Sequence, residues 1–252
     1  MTKLLDAPLL LFILSMLFLE ISVQTGAELR KVRPLKEEER GYFGVVLTAT
    51  LTLLGLLIGF SFSMSVSRYE LRKNYEMAEA NAIGTEYVRA DLLSANDAAR
   101  VRELLKKYAD QRVLLYRTSD QALRTTIIRD TAGLQKELWT AIVPAVRAQP
   151  APVATVVISG MTDVLNSQRS SQAAWWNRIP VAAWVLMAII AVMCNVMVGY
   201  GAPMRNWRLF LITPLTASIA FLLIADIDSP RGGAIRVAPQ NLSSLAQSLQ
   251  QW

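Results

Sequence analysis

The sequence predicts an all-α integral membrane protein with four transmembrane helices and a helical-bundle insert outside the membrane between helices two and three. Three observations carry this prediction. Of 252 residues, 53% are hydrophobic and 18% charged, against about a quarter charged in soluble domains. The apolar surplus is gathered into four runs, and two of them, between Arg40 and Arg68 and between Arg178 and Arg205, hold no charge at all. Each can supply the roughly 20 apolar residues that a bilayer core requires of a helix. The remaining charges lie mostly between these runs and recur at helical rather than alternating spacing.

Taken in order, residues 1–66 form a first transmembrane hairpin with spans at about 7–23 and 43–66. The first run carries Glu20, and its early Lys3 and apolar core also fit a signal peptide. No small-x-small cleavage site follows promptly, so a retained helix is expected. Residues 67–178 form the extramembrane helical domain. The second-span helix is expected to run straight on to about Leu93, with Ser94 or Asn96 capping the next helix and Asp97 in its first turn. Further helices are expected over about 119–147, bent or ended near Pro144, and over about 152–176, with AQPAP at 148–152 as the break. ATVVIS at 154–159 is ambiguous by composition.

Residues 179–228 form a second hairpin, with spans at about 180–200 and 207–226. Pro214 is expected to kink the last span, while Thr213 and Thr216 satisfy freed backbone groups. The tail, 229–252, reads as a turn and a short polar helix with spaced leucines. Tyr42, Trp175, Trp176, Tyr200 and Trp207 fall at expected membrane–water interfaces.

Several function classes are excluded. With no histidine and one cysteine, the chain supports no histidine-based catalytic pair or metal site and no intrachain disulfide framework. The net charge of +6 belongs to basic residues flanking the spans, where headgroups attract them, so no nucleic-acid partner is expected. Gly232–Gly233 lacks the strand and helix of a phosphate loop, and no ordered carboxylate pair appears. No enzyme activity, cofactor or metal is expected.

Flanking charge is almost balanced between the two sides of the membrane. One side has Lys3, Arg68, Arg72, Lys73, Arg169, Arg178, Arg231 and Arg236; the other has Arg30, Lys31, Arg33, Lys36, Arg40, Arg205 and Arg208. The flanks of the first helix tip the prediction toward a loop 24–42 inside and the extramembrane domain on the periplasmic side.

The second span has the most informative face. Thr48, Thr52, Gly55, Gly59, Ser63 and Ser67 recur every three or four residues and share one helical stripe, which Glu70 and Asn74 continue. Such a stripe serves close helix packing, because small residues let backbones approach. It equally serves as a pore wall of hydroxyls and bare backbone. Glu20 is the one ionisable residue well inside a predicted span, a candidate functional acid or a carboxylate reaching the interface. At the membrane exit Asp226, Asp228 and Arg231 form a charge cluster. It reads either as hard oxygen ligands for calcium or as ion pairs, with Arg231 or Arg72, fixing the helix end. Glu86 and Arg89 belong to a charged helix whose acids and bases can pair within and between helices.

The stretches GFSFSMSVSRYELRKNYEMAEANAIGTEYVRADLL (59–93) and IADIDSPRGGAIRV (224–237) resemble the bacterial bestrophin-like domain proteins, many of them known only as a domain of unknown function. The layout matches over most of the chain. Bestrophins are pentameric anion channels with a pore along their second span, so the resemblance implies a channel-like homo-oligomer of the bacterial inner membrane, lined by Thr48, Thr52, Gly55, Gly59 and Ser63. It also implies a cytoplasmic helical region, opposite to the charge-based orientation. The sequence departs from bestrophins in lacking a phenylalanine-rich neck, offering Phe60 and Phe62, and in having only Asp226 and Asp228 where they carry a dense acidic calcium clasp.

Two functions are therefore expected. One is an ion (anion) channel-like assembly in which the second-span face forms the wall, with Arg68 and Arg72 attracting anions at the mouth. The alternative is a non-catalytic scaffold or accessory subunit of a larger membrane complex, in which the same face packs helices. The partners expected are the lipid bilayer, further copies of the chain, and other membrane subunits.

Overall fold

The computed structural model describes residues 7–201 and 210–251. Lys3, Arg205, Trp207, Arg208 and the start of the fourth run lie outside them. Among the described residues every regular element is a helix: α1 (Pro8–Val32), α2 (Glu37–Arg89), α3 (Ala95–Arg117), α4 (Gln121–Arg147), α5 (Ala151–Trp176), α6 (Val181–Gly201), α7 (Ile212–Asp228) and α8 (Gln240–Gln250). A 3₁₀ turn, Ala90–Leu92, closes α2. Among the described residues three helical stretches, Pro8–Val32, Glu37–Leu92 and Ala151–Gly201, are long and apolar enough to cross a membrane.

The local sequence explains the breaks. Pro8 opens α1, and Arg30 and Lys31 in its last turn complement the negative end of the helix dipole. Pro34 follows and excludes helical geometry from the residue before it. The acidic triplet Glu37–Glu39 then starts α2. The loop expected over 24–42 is therefore helical at both ends, because charged residues there extend two helices. Ser94 caps α3, its hydroxyl accepting the Asp97 N–H at 3.3 Å, and Asp120 caps α4 by accepting the Ala122 N–H at 2.8 Å.

Helix α4 continues through Pro144 to Arg147, and the break falls just before α5, at Pro150. The ambiguous ATVVIS segment lies within α5. Pro214 sits in the first turn of α7, where its missing N–H removes no helical bond, so the expected kink has no cause there. The Thr216 hydroxyl donates to the carbonyls of Ile212 and Thr213 at 2.6 and 3.1 Å.

The chain divides into two compact units. The first takes residues up to Tyr69 and Arg178–Arg236; the second takes Glu70–Asn177 and the chain from Val237.

The first unit is held by a backbone-on-backbone contact between α1 and α6. A methyl group on Gly26 would fall 1.9 Å from the Val196 carbonyl oxygen, and one on Gly199 would fall 1.9 Å from that of Val23. Glycine alone permits this approach, which replaces side-chain packing with dispersion and Cα–H···O contacts. Around it Leu19, Met187, Ala191, Cys194, Phe221 and Ile224 form a buried core. Beyond the glycines Arg30 Nη1 donates to the Gly201 carbonyl and the Tyr200 hydroxyl to that of Arg33, both at 2.9 Å.

The second unit packs α3, α4, α5 and α8 with the later turns of α2 around Ile83, Leu105, Tyr108, Ile142, Val157, Met161 and Leu242. The core includes a buried ion pair: the Arg112 guanidinium grips the Glu79 carboxylate, with both side chains at most 1% exposed. Breaking one side of such a pair leaves an uncompensated buried charge. Burial pushes the neighbouring Tyr108 and Tyr116 phenols well above their ordinary range, and the Glu79 charge adds to this.

The glycine contact generates a stability prediction. Gly26→Ala and Gly199→Ala are each expected to lower stability by about 1–3 kcal/mol through overpacking. Gly133→Ala, on an open face of α4 with nothing within 4 Å of the added methyl, is expected to raise it by up to about 1 kcal/mol. Thermal unfolding of the three variants in detergent tests the contrast.

Candidate functional site

The stripe anticipated on the second span lies on α2, and all six of its residues, Thr48, Thr52, Gly55, Gly59, Ser63 and Ser67, are exposed in the single chain. Glu70 and Asn74 continue it and are also exposed. The buried side of the same helix carries Leu54, Ser61 and Ser65. A methyl group on Gly55 or Gly59 would meet nothing within 4 Å. The backbone-on-backbone contact between helices falls on Gly26 and Gly199, whereas this Gly-x-x-x-Gly pair packs on none of the other described helices.

The Thr48 and Thr52 hydroxyls donate to the carbonyls of Gly44 and Thr48 at 2.9 Å. Their protons are thus used within the helix, while the oxygen lone pairs remain able to accept from water or meet a cation. The stripe is a ribbon of hydroxyls and bare backbone, bordered by exposed Leu53, Leu56 and Phe60.

Charge at the expected mouth is arranged differently from the sequence reading. Arg72 is only 2% exposed and so does not present its charge to a mouth. Arg68 is half-buried, with Nη2 set 3.4 Å from the Met64 sulfur. The charged side chain that continues the exposed stripe is the carboxylate of Glu70.

Glu20 is half-buried on α1. Its Oε1 accepts from Gln24 Nε2 at 3.3 Å, and among the described residues its buried Oε2 has no hydrogen-bond partner. A neighbour one turn on, rather than a hydroxyl of the second span or a basic loop residue, supplies the hydrogen bond.

The exit cluster is a hydrogen-bonded turn. The Asp226 carboxylate accepts the backbone N–H groups of Ala234 and Ile235 at 2.7 and 2.9 Å. Both Asp228 oxygens accept the Ile179 N–H at 3.2 Å. The Ser229 hydroxyl accepts from the Gly232 N–H at 2.9 Å. Gly233 lies against Asp226, where a methyl group would come within 2.5 Å of its backbone and side-chain oxygens. Arg231 is half-buried in the same turn. The two carboxylates are thus engaged by backbone donors, and no group of three or more metal-ligating side chains assembles among the described residues.

Sequence reasoning missed how α2 divides its buried carboxylates. Glu76, Glu79 and Glu86 are each 0% exposed. Glu76 accepts from Asn241 Nδ2 at 2.7 Å and from the Leu242 N–H at 2.8 Å, capping α8 from a different helix. Glu79 pairs with Arg112, and Glu86 faces Gly160 of α5. Their common spacing on one helical face was readable, but their partners come from elements far away in sequence.

Because the exit carboxylates cap backbone, Asp228→Ala is expected to cost about 1–3 kcal/mol by leaving the buried Ile179 N–H without its acceptor. Asp226→Ala, whose donors are exposed, is expected to cost less. Melting curves in detergent with and without calcium check this, and calcium is expected to leave the melting point of the unsubstituted protein unchanged.

No curated protein shows a significant match to the chain. Among solved structures, a leucine-to-threonine variant of a bacterial bestrophin homologue from Klebsiella pneumoniae is 12% identical, with a TM-score of 0.65, and the match covers 97% of this chain and 98% of that one. An aspartate-to-alanine variant of a Klebsiella pneumoniae bestrophin homologue is 13% identical, with a TM-score of 0.66 over 96% and 97% of the two chains. A proline-to-alanine variant of a protein described as a membrane protein gives 12% identity and a TM-score of 0.66 over 97% of each chain. At these identities the likeness establishes a shared fold. The sequence profile of the Bestrophin-like domain matches residues 17–242, and with this span covered the chain belongs to the bestrophin-like family.

Proposed function

We propose that the chain assembles with copies of itself into an ion-conducting channel in the bacterial inner membrane, with the exposed stripe of α2 lining the path. In this reading α1, the apolar first part of α2, α6 and the segment ending in α7 are the four membrane spans, and the second unit is the extramembrane domain. One observation carries the reading. Every residue of the stripe, from Thr48 to Ser67, is exposed in the single chain, and beyond the helix's own backbone no atom of the described residues lies within 4 Å of the methyl positions of Gly55 and Gly59.

Facing lipid, the hydroxyl lone pairs of the ribbon would lack donors, whereas lining a water-filled path hydrates them. A ring of copies supplies that path and gives the bordering Leu53, Leu56 and Phe60 neighbours to pack on. Family membership supports the same assembly, since bestrophins are pentameric channels with a pore along the second span. The resemblance implies anions as the conducted species. The buried Arg72 removes one basic residue from the mouth, so selectivity rests on Arg68, Glu70 and the neutral wall.

Liposome flux with the purified protein, alongside its mass in detergent, tests the proposal. A defined ring with measurable flux is expected. Thr52→Val, which removes one hydroxyl and keeps the shape, is expected to change flux several-fold, the rate equivalent of about 1 kcal/mol, with the mass unchanged. A defined oligomer without flux across pH, calcium and voltage would overturn the channel and assign the face to subunit packing in an accessory role.

A further inference from the structure

Of the three buried carboxylates on α2, Glu86 stands apart. Glu76 and Glu79 each have strong donors. Glu86 is 0% exposed, and neither of its oxygens has a hydrogen-bond partner among the described residues. Its carboxyl rests on the backbone of α5, so that a methyl group on Gly160 would fall 1.9 Å from Oε2 and 2.4 Å from Arg89 Nη1. Beyond Arg89, the unit's buried core is largely apolar, with Ile83, Val157, Met161 and Val164 among its members.

A native core rarely leaves both oxygens of a carboxyl unsatisfied, and in apolar surroundings only the neutral acid is tolerated without a large desolvation cost. We propose that the Glu86–Gly160 contact is a proton-operated latch, which keeps α5 seated on α2 while the carboxyl is neutral and releases it when the carboxyl ionises.

Burial, the largest influence, pushes the Glu86 carboxyl up to about 8, with Arg89 opposing and Asp163 adding to the rise. The charged groups facing it are few. Arg89 comes from α2 itself and Asp163 from α5. On α3, Arg102 and Lys106 lie over the Tyr87 ring, and Arg102 also pairs with Asp91. Helix α8 has no ionisable side chain. The folded value lies above the ordinary value of 4.5, so the unfolded chain ionises first. Stability from this group is full at acid pH, declines as pH rises from about 4.5, and has gone once pH passes about 8. The latch therefore holds most tightly at acid pH and loosens progressively up to about pH 8.

Backbone hydrogen exchange of the full-length protein in detergent, corrected for intrinsic rates, tests this independently of any ion flux. Protection of the α5 segment around Gly160 is expected to fall about tenfold for each pH unit as pH rises toward about 8, and to level off above it. Glu86→Gln, a neutral mimic of the acid, is expected to abolish this pH dependence, and Asp163→Asn to bring the levelling-off to lower pH. A wild-type profile flat between about pH 5 and 8 would overturn the latch, as would a pH dependence that persists in Glu86→Gln. Should Glu86→Gln not fold, the pH at which Asp163→Asn levels off decides: an unmoved value overturns the proposal.

Discussion

The structure depends on α2 remaining one unbroken helix of 53 residues. A bilayer needs about 20 residues of helix, so more than half of α2 must find a different environment. Its composition changes to match. Up to Ser67 the exposed side carries small and hydroxyl residues, and the buried side packs on apolar neighbours. Past Glu70 the buried side carries glutamates. No proline or other helix-breaking signal interrupts it before the turn at Ala90–Leu92. The same helix therefore contributes residues to both compact units.

The polar groups buried in the second unit follow a graded logic. The Glu79–Arg112 pair is the costly kind of interaction that contributes little net stability yet penalises any alternative packing heavily. Glu76 satisfies two donors at the start of α8, doing the work that Pro239 cannot do as an N-cap, since no side chain caps that helix locally. Glu86 has neither arrangement, and burial pushes its carboxyl up to about 8. Three identical side chains on one face thus differ because of what neighbouring helices bring to them.

The sequence foretold what local chemistry decides. Ser94 and Asp120 are strong caps, Pro150 and Pro34 are strong breaks, and the charge-free runs are unmistakable, so helix identities and most boundaries were readable. The loop over 24–42 was misjudged because Glu28, Arg30 and Lys31 look like loop residues yet sit in a helix extended beyond the apolar run. The α1–α6 contact left no local trace: Gly26 and Gly199 are far apart in sequence, and neither sits in a Gly-x-x-x-Gly pattern. The stripe on α2 was visible from spacing alone. Its exposure was not, because that depends on which helices the rest of the chain packs against it. Arg72 likewise looked like a surface charge until packing buried it.

The second unit is discontinuous in sequence: Glu76 waits for Asn241 and Leu242, and Leu242 completes its core. During synthesis, α2 through α5 leave the ribosome with that carboxylate unsatisfied and one wall of the core open. The segment between, α6 and α7, must be made before the missing helix arrives. A nascent chain at that stage exposes an apolar groove beside a bare acid, the kind of surface that chaperones hold and proteases find. The unit's fold is thus sealed by α8, a helix made after both flanks of the core it completes.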